Sequence, residues 1–430
     1  MKRFIFIISA VLAYGVASAQ EALNDIKANM CVSGSNYLAY PGPHKQLTPA
    51  PKGYKPYYIT HYGRHGSRFL CDASDYDFPY NTLKRADEFG KLTPVGKETL
   101  NKVAMLRDEA YKRIGDLSPL GAEQHREIAE RMYTRFPEVF AGKTNIDAKS
   151  TVVIRCILSM ENALHQLLRH NPQLQIRHDA SEHDMCYMNH DDREVNQYMW
   201  TDEASKAYAE LEKKFDTSDK LAEQLFNDKG YAQALDLKRL NSLLFGVANS
   251  VQNTELRHKI SLYNLFTPET AYTNWKLNNA MWYIRYSACP LNGATQPFTQ
   301  RALLRNIVET ADSCLRLPHP GATLRYGHET MVLPLVSLIN VNGAGEQIAD
   351  LSQLDQKGWI NYHYFPMGAN LQMVFYHNAK KADDILVKFL LNEDEATIPV
   401  KTDCAPYYHW KDVRPYLMQR IEGFKPYEKK

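Results

Sequence analysis

Five consecutive residues combine side chains that could carry out phosphoryl transfer. An imidazole lies between two guanidinium groups in the run Arg64-His65-Gly66-Ser67-Arg68. The imidazole of His65 could attack phosphorus and form a phosphohistidine that water then cleaves. The two arginines could hold the oxygens of the phosphoryl group, and Gly66 lets the backbone approach a ligand closely. The alternative interpretation is a solvated surface loop of charged residues.

The elements that must position these residues are three short apolar runs, each ending in a polar group. The runs are 57–60 before His65, Thr151–Ile154 before Arg155, and 322–326 before His328 and Glu329. All three have the length of strands, and the first two are rich in β-branched or aromatic residues. Two further strands are predicted at 371–376 and 385–391.

Helices are predicted between the strands. Thr93-Pro94 and Ser118-Pro119 are each typical of an N-cap followed by proline at the first helical position. The second pair predicts a helix over 120–135, and another helix is predicted over 159–169. This alternation predicts an α/β fold with a mostly parallel sheet flanked by helices. Such sheets bind ligands at the carboxyl ends of their strands, where all three runs place their polar groups.

The middle of the chain differs in character from its two flanks. Residues 204–251 are charged and amphipathic, with few strand signals. We therefore predict an inserted, mainly α-helical domain over residues 172–303. Residues 20–171 and 304–430 then form the α/β domain. A second domain is expected in any case, because about 410 residues exceed one simple core.

Residues 1–19 have the pattern of a cleaved signal peptide. Lys2 and Arg3 precede the apolar run 4–16, and Ala17-Ser18-Ala19 supplies the small residues of a cleavage site. The apolar run is shorter than the roughly 20 residues that a transmembrane helix requires. We therefore expect a periplasmic or secreted protein without a membrane span.

Composition excludes several functional classes. The formal net charge of the 430 residues is only +2, which gives no reason to expect a nucleic-acid or membrane-surface partner. The seven cysteines form no CxxC pair, and none is followed by an arginine six residues later, so the C-x5-R phosphatase loop is absent.

His178, His183 and His190 each precede an aspartate, but their spacings fit no zinc pattern, and we interpret them as a polar loop. No metal or cofactor is predicted.

The run 64–68, with His328-Glu329 far downstream, resembles the histidine acid phosphatase superfamily (branch 2). Within it the chain is most similar to the bacterial multiple inositol polyphosphate phosphatases and histidine phytases. The resemblance covers nearly the whole chain and implies a phosphoglycerate-mutase-like fold. It also implies that His65 is the nucleophile and that the phosphate is held by the side chains of Arg64, Arg68, Arg155 and His328.

Two positions depart from the pattern of that superfamily. Leu70 stands where a proline is usual, which affects loop shape but not proton transfer. In that superfamily the proton donor is the aspartate of a His-Asp pair or the glutamate of a His-Ala-Glu sequence. This chain instead has His328-Glu329-Thr330, with the glutamate directly after the histidine. Glu329 would protonate the leaving alkoxide and later deprotonate the attacking water. Its alternative interpretation is a first-turn glutamate that stabilises the helix dipole, with the helix beginning near 330 or 331.

The substrates implied are inositol hexakisphosphate and lower inositol phosphates. A broad-specificity acid phosphatase or sugar phosphatase would use the same residues with a less basic pocket. A phosphate-binding protein without catalysis is less consistent with the sequence, because mere binding needs arginines but neither His65 nor Glu329.

Overall fold

The computed structural model describes residues 21–428 and is organised around one sheet of eight strands. Its order is β3-β2-β4-β1-β5-β6-β7, with β8 also paired to β6. The predicted signal peptide lies outside the described residues. The strands are β1 (Tyr54–Arg64), β2 (Asn145–Ser150), β3 (Gln175–Asp179), β4 (Gly321–Gly327), β5 (Asn370–Asn378), β6 (Lys381–Leu391), β7 (Asp394–Ala396) and β8 (Tyr407–His409).

The sheet is mixed, which corrects the expectation of a mostly parallel sheet, while the α/β class is confirmed. The strands β3, β2, β4 and β1 are parallel to one another, because long helical segments connect them. The pairs from β1 to β5 and onward are antiparallel. A connection of two residues, 379–380, joins β5 to β6 and allows only this direction.

The second predicted strand is displaced by several residues. Thr151–Ile154 does not form a strand: β2 ends at Ser150, and a helix begins at Ile154. Val152 is 40% exposed and Ile154 is 66% exposed, so neither side chain is part of a sheet face. The strand is instead the less apolar run before them, whose alternate residues Ile146, Ala148 and Ser150 are buried. The burial of every second residue, rather than a high content of β-branched residues, therefore determines which residues form this strand.

Helices cover both faces of the sheet and form a separate helical region. The longer ones are α1 (Ser74–Glu88), α2 (Pro94–Glu109), α3 (Pro119–Arg135), α4 (Ile154–His170), α5 (Asp202–Phe215), α6 (Ser218–Leu225), α7 (Leu237–Ser250), α8 (Pro268–Tyr286), α9 (Arg301–Cys314), α10 (Glu329–Ile339) and α11 (Trp410–Glu422). Three short ones are Met185–Met188, Arg193–Asn196 and Lys229–Gln233. None of the helices within 21–428 is long and apolar enough to cross a membrane.

The predicted N-caps are confirmed, and two helix starts are earlier than predicted. Thr93 accepts a hydrogen bond from Gly96 N at the start of α2, and the Ser118 hydroxyl accepts one from Gly121 N at the start of α3. The helix expected from 159 begins five residues earlier as α4, and α10 includes Glu329 in its first turn.

The segment 172–303 is mainly helical after β3, which adds to the edge of the sheet beside β2. Its helices share an apolar core with residues from outside the segment, including Ile26, Leu83 and Val103. The other two cores lie on the two faces of the sheet, one against α10 and α11 and one against α3 and α4. The division into two domains stays a prediction.

The register of two central strands brings the predicted site residues together. Arg64 at the end of β1 lies directly opposite Gly327 at the end of β4, and the two strands are parallel. The residues that follow each strand therefore meet at the same edge. His65 N donates to Gly327 O at 2.9 Å, which fixes the 64–68 segment beside His328.

Candidate active site

The backbone of the 64–68 segment is held against the start of α3. A Cβ atom on Gly66 would overlap the carbonyl group of Gly121, and a Cβ on Gly121 would overlap the carbonyl oxygen of Ser67. Ser118 N also donates to Ser67 O at 2.9 Å. Two glycines are therefore required for this close packing, in addition to any role in approaching a ligand.

The imidazole of His65 is fully buried, and a single hydrogen bond determines its tautomer. Its Nδ1 lies 2.9 Å from Gly66 O, and a carbonyl oxygen can only accept, so Nδ1 carries the proton. Nε2 therefore presents its lone pair to the site, 3.5 Å from Glu329 Oε2. Burial, reinforced by the guanidinium groups of Arg64 and Arg68, holds the pKa of His65 well below its usual range. A neutral imidazole with a free lone pair is the form that attacks phosphorus.

Two guanidinium groups flank this imidazole with unused hydrogen-bond donors. Arg64 is fully buried; its Nη1 donates to Asn36 O and Phe365 O at 2.7 and 2.8 Å. Arg68 is 5% exposed and donates through Nη1 to Phe69 O at 2.9 Å. Within residues 21–428, Arg64 Nε and Nη2 and Arg68 Nε are buried without a hydrogen-bond partner. Leaving such donors unpaired costs about 1–3 kcal/mol each, which an anionic ligand would recover.

Glu329 occupies the centre of this cationic group. Its carboxylate lies 3.1 Å from Arg64 Nε and 3.6 Å from Arg68 Nη2, and its side chain is 9% exposed. Burial alone would raise the pKa of Glu329, but Arg64, His65 and Arg68 hold it well below the usual range. In the absence of a ligand, Glu329 is therefore an anion in the place where the arginines could bind phosphate.

His328 faces His65 from the end of β4. The two ring centroids are 5.8 Å apart at 72°, and His328 Nε2 lies 3.2 Å from Thr151 Oγ1. The thiol of Cys156 donates to Gly327 O at 3.3 Å and lies 3.8 Å from the His328 ring nitrogens. Burial, with Arg155, Arg64 and Arg68 nearby, lowers the pKa of His328 to about 4.

Arg155 completes the group, although the strand predicted to carry it is absent. It lies in the first turn of α4, is half-buried, and donates weakly through Nη1 to Gly115 O at 3.4 Å. Its Nε is buried and has no hydrogen-bond partner in the described part of the chain. The helix start, rather than a strand end, therefore positions this residue. All six predicted site residues lie together at one edge of the sheet.

The sequence model of the histidine phosphatase superfamily (branch 2) matches residues 64–392, which include the His65 segment and the His328-Glu329 pair. This chain belongs to that superfamily. The resemblance inferred from the motifs is confirmed.

Two solved structures have a similar fold at low sequence identity. The multiple inositol polyphosphate phosphatase of Bifidobacterium longum in complex with inositol hexasulfate has a TM-score of 0.74 and 17% identity, over 90% of this chain and 97% of that chain. The phytase of D. castellii has a TM-score of 0.68 and 15% identity, over 92% of this chain and 86% of that chain. No curated protein matches this sequence.

Three polar residues that the sequence did not single out hold the 64–68 segment in place. Gly66 N donates to Ser159 Oγ at 3.2 Å, and Ser67 N donates to Gln124 Oε1 at 2.8 Å. Ser67 Oγ donates to Asn253 Oδ1 at 2.7 Å. These partners come from α3, α4 and the inserted segment, so no local pattern in the sequence could have identified them.

The site could also be considered as a metal centre, because His65, His328 and Glu329 have ligand atoms within 4.8 Å of one another. The guanidinium groups of Arg64 and Arg68 adjoin the same carboxylate and would repel a cation. The donor set therefore fits an anion better.

The three histidines of the polar loop are not brought together within ligand distance. His178 instead lies 2.6 Å from Glu161, and Asp184, next to His183, accepts a hydrogen bond from Lys149.

A cavity of about 340 Å³ lies between helices of the 172–303 segment and residues 33–37, and none of the six predicted site residues lines it. The ring of Tyr37 lies 5.4 Å from the Arg68 guanidinium and also lines this cavity. Its lining is rich in amides and carboxylates and includes one lysine, with the charged and amide side chains Asp75, Glu212, Asp216, Lys238, Asn241, Asn249, Asn274 and Asn278.

Proposed function

We propose that this protein is an exported phosphomonoesterase that hydrolyses inositol polyphosphates such as phytate through a phosphohistidine at His65. One observation carries the proposal. Arg64, Arg68 and Arg155, which lie at the same edge of the sheet as His65, each have a buried N–H donor without a hydrogen-bond partner among the described residues, and the imidazole nitrogen Nε2 of His65 has none either. Donors for three oxygens around a nucleophile are what in-line phosphoryl transfer requires.

The charge of the site matches a phosphate monoester dianion. Three guanidinium cations and the Glu329 carboxylate leave two positive charges beside neutral His65 and His328. When the dianion enters, its oxygens accept hydrogen bonds from the guanidinium groups, and its charge repels the carboxylate of Glu329. Two like charges about 4 Å apart interact by roughly 4 kcal/mol at an effective dielectric constant of about 20. Substrate binding therefore raises the pKa of Glu329, so that its carboxylate takes up from solvent the proton that the leaving group needs.

In the first step, Nε2 of His65 forms a bond to phosphorus as the bond to the leaving oxygen breaks. Glu329 gives its proton to that oxygen, and the alcohol departs. The hydrogen bond from Nδ1 of His65 to Gly66 O stabilises the positive charge that develops on the ring. In the second step, the Glu329 carboxylate takes a proton from water, whose oxygen attacks phosphorus and releases the neutral imidazole.

The substrate class rests on the resemblance to inositol polyphosphate phosphatases, and the cavity supports a second candidate. Its described lining has three carboxylates, those of Asp75, Glu212 and Asp216, against the one ammonium group of Lys238. Carboxylates and amides bind hydroxyl groups well but repel additional phosphates. A sugar phosphatase, whose substrate carries one phosphate and several hydroxyls, is therefore the alternative that this observation favours.

A substrate panel tests both candidates with one enzyme preparation. We would measure kcat/KM for phytate, an inositol monophosphate, glucose phosphate and an aryl phosphate. The first proposal expects the highest value for phytate, and the second expects glucose phosphate or the monophosphate to exceed it. Equal loss of all four activities in His65→Ala would assign them to this site, whereas activity that survives in the variant would refute the proposal.

Export is proposed on the pattern of residues 1–19 alone. Sequencing the N-terminus of the protein recovered from its native host would test it. A mature chain beginning near Gln20 supports cleavage, and an intact Met1 contradicts it.

A further inference from the structure

A second group of chemically reactive side chains lies at the opposite edge of the sheet from His65. Asp403, Cys404 and His409 have ligand atoms that all lie within 4.8 Å of one another. They occupy β8 and the loop before it, next to β6 and to Tyr54 at the first residue of β1. Because β1 has 11 residues, this group is roughly 30 Å from the phosphatase site.

Two of the three separations between the donor atoms are close to those around a tetrahedral zinc ion, and the third is no more than 4.8 Å. His409 Nε2 lies 3.0 Å from Asp403 Oδ1 and 3.9 Å from Cys404 Sγ. Tetrahedral zinc, with bonds of about 2.0 Å to nitrogen and oxygen and about 2.3 Å to sulfur, requires separations of about 3.3 to 3.6 Å. Shifts of a few tenths of an ångström would therefore bring these two pairs of atoms to the required separations.

The ring of His409 is already oriented as a zinc ligand. Its Nδ1 donates to Asp384 Oδ1 at 2.8 Å, which directs Nε2 toward the other two donors. Tyr54 in turn donates to the second oxygen of Asp384 at 2.5 Å. A carboxylate on the remote nitrogen is the arrangement that accompanies most metal-bound histidines.

Access and charge are also suitable. The Asp403 side chain is 84% exposed and that of His409 is 21% exposed, so an ion can enter from solvent. Two carboxylates, those of Asp384 and Asp403, flank the one imidazole, and Cys404 forms no disulfide. The fourth position would be open to water.

We propose that Asp403, Cys404 and His409 bind a zinc ion that fastens the 402–404 loop to β8. The Cys404 thiol loses its proton on binding, and zinc takes the place of the proton that His409 Nε2 shares with Asp403. The ion is structural, since it lies far from His65 and does not take part in phosphoryl transfer.

Cobalt(II) is the appropriate probe, because a cobalt–thiolate bond gives a charge-transfer band and tetrahedral cobalt gives intense d–d bands. The mature wild-type protein, dialysed against a chelator and then titrated with cobalt(II), should show both. The spectrum should be lost in Cys404→Ser and His409→Ala, and zinc should displace cobalt. Asp384→Asn should retain the spectrum with affinity weakened about 10- to 100-fold.

A control must show that cobalt does not bind at the active site, where Cys156 lies near His328 and could supply the thiolate. Cys156→Ser should keep the charge-transfer band, and so should the exposed Cys186→Ser. A band that survives in Cys404→Ser, or one that is lost in Cys156→Ser, would overturn the proposal. A wild-type protein without a thiolate band would overturn it as well, and would identify the group as an ion pair between His409 and two aspartates.

Discussion

Replacing Glu329 by glutamine separates acid catalysis from phosphate binding. Glutamine has nearly the same shape but can neither donate a proton to the leaving oxygen nor repel a dianion. General acid catalysis contributes about 10²- to 10⁴-fold, so hydrolysis of an inositol phosphate should fall by that range. The first step with p-nitrophenyl phosphate should fall much less, because that leaving group departs without a proton. Rapid-quench burst kinetics must be used, since Glu329 also activates water in the second step.

The same variant should bind anions differently. In the wild type, Glu329 is anionic between Arg64 and Arg68 and must take up about one proton when a dianion displaces it. Sulfate, which stays a dianion across the range, should therefore bind more weakly as the pH rises from about 5 to 8. Calorimetry in buffers of different ionisation enthalpy should report uptake of about one proton by the wild type and none by Glu329→Gln.

A buried glutamate outside the site provides the matched control. Glu393 is 1% exposed and ion-paired with Arg131 at 2.8 Å and Arg135 at 3.8 Å. Glu393→Gln should lower stability without changing the dependence on the leaving group or proton uptake. If Glu329→Gln slows the first step of both substrates equally, or of neither, Glu329 is not the general acid. The proton donor would then be sought among Asp179, Asp184 and Asp191.

Four further experiments test the positioning, protonation and charge of the site. His65→Ala should abolish turnover with an unchanged circular dichroism spectrum; activity near that of the wild type would exclude His65 as the nucleophile. Because the pKa of His65 lies well below 6.5 and its neutral form attacks, kcat/KM should persist at acidic pH, and a decline that begins near pH 6.5 would contradict this assignment. Gly121→Ala would push a methyl group into the carbonyl oxygen of Ser67 and should lower kcat about 10²-fold, whereas Gly230→Ala, which meets only ordinary contacts, should not. Dialysis of Cys404→Ser, which lacks the proposed zinc site, against a chelator should leave its turnover unchanged, because arginines rather than a cation neutralise the phosphate; loss that zinc or calcium restores in this variant would refute this.

The sequence predicted the chemistry of the site because that chemistry is concentrated in two short segments. Arg64, His65 and Arg68 are contiguous, and Glu329 follows His328 directly. Pairing β1 with β4 was the one long-range event needed to bring the segments together, and polar residues after two strands already indicated it.

Other features depend on contacts that no short segment contains. β2 is the modestly apolar run 145–150, and the more strand-like 151–154 is a turn and helix start, because burial rather than composition selects the strand. Ser159, Gln124 and Asn253 reach the His65 loop from separate elements. The low pKa of Glu329 likewise arises only when the two segments meet.

Trapping the phosphoenzyme tests the central claim most directly. We would mix the protein with an aryl phosphate, quench within the burst phase, and locate the phosphoryl group by peptide mass spectrometry. The account predicts an acid-labile, base-stable phosphoryl group on His65, accumulating in Glu329→Gln because its hydrolysis is slowed. A phosphoryl group on any other residue, or turnover with no covalent intermediate at all, would contradict it.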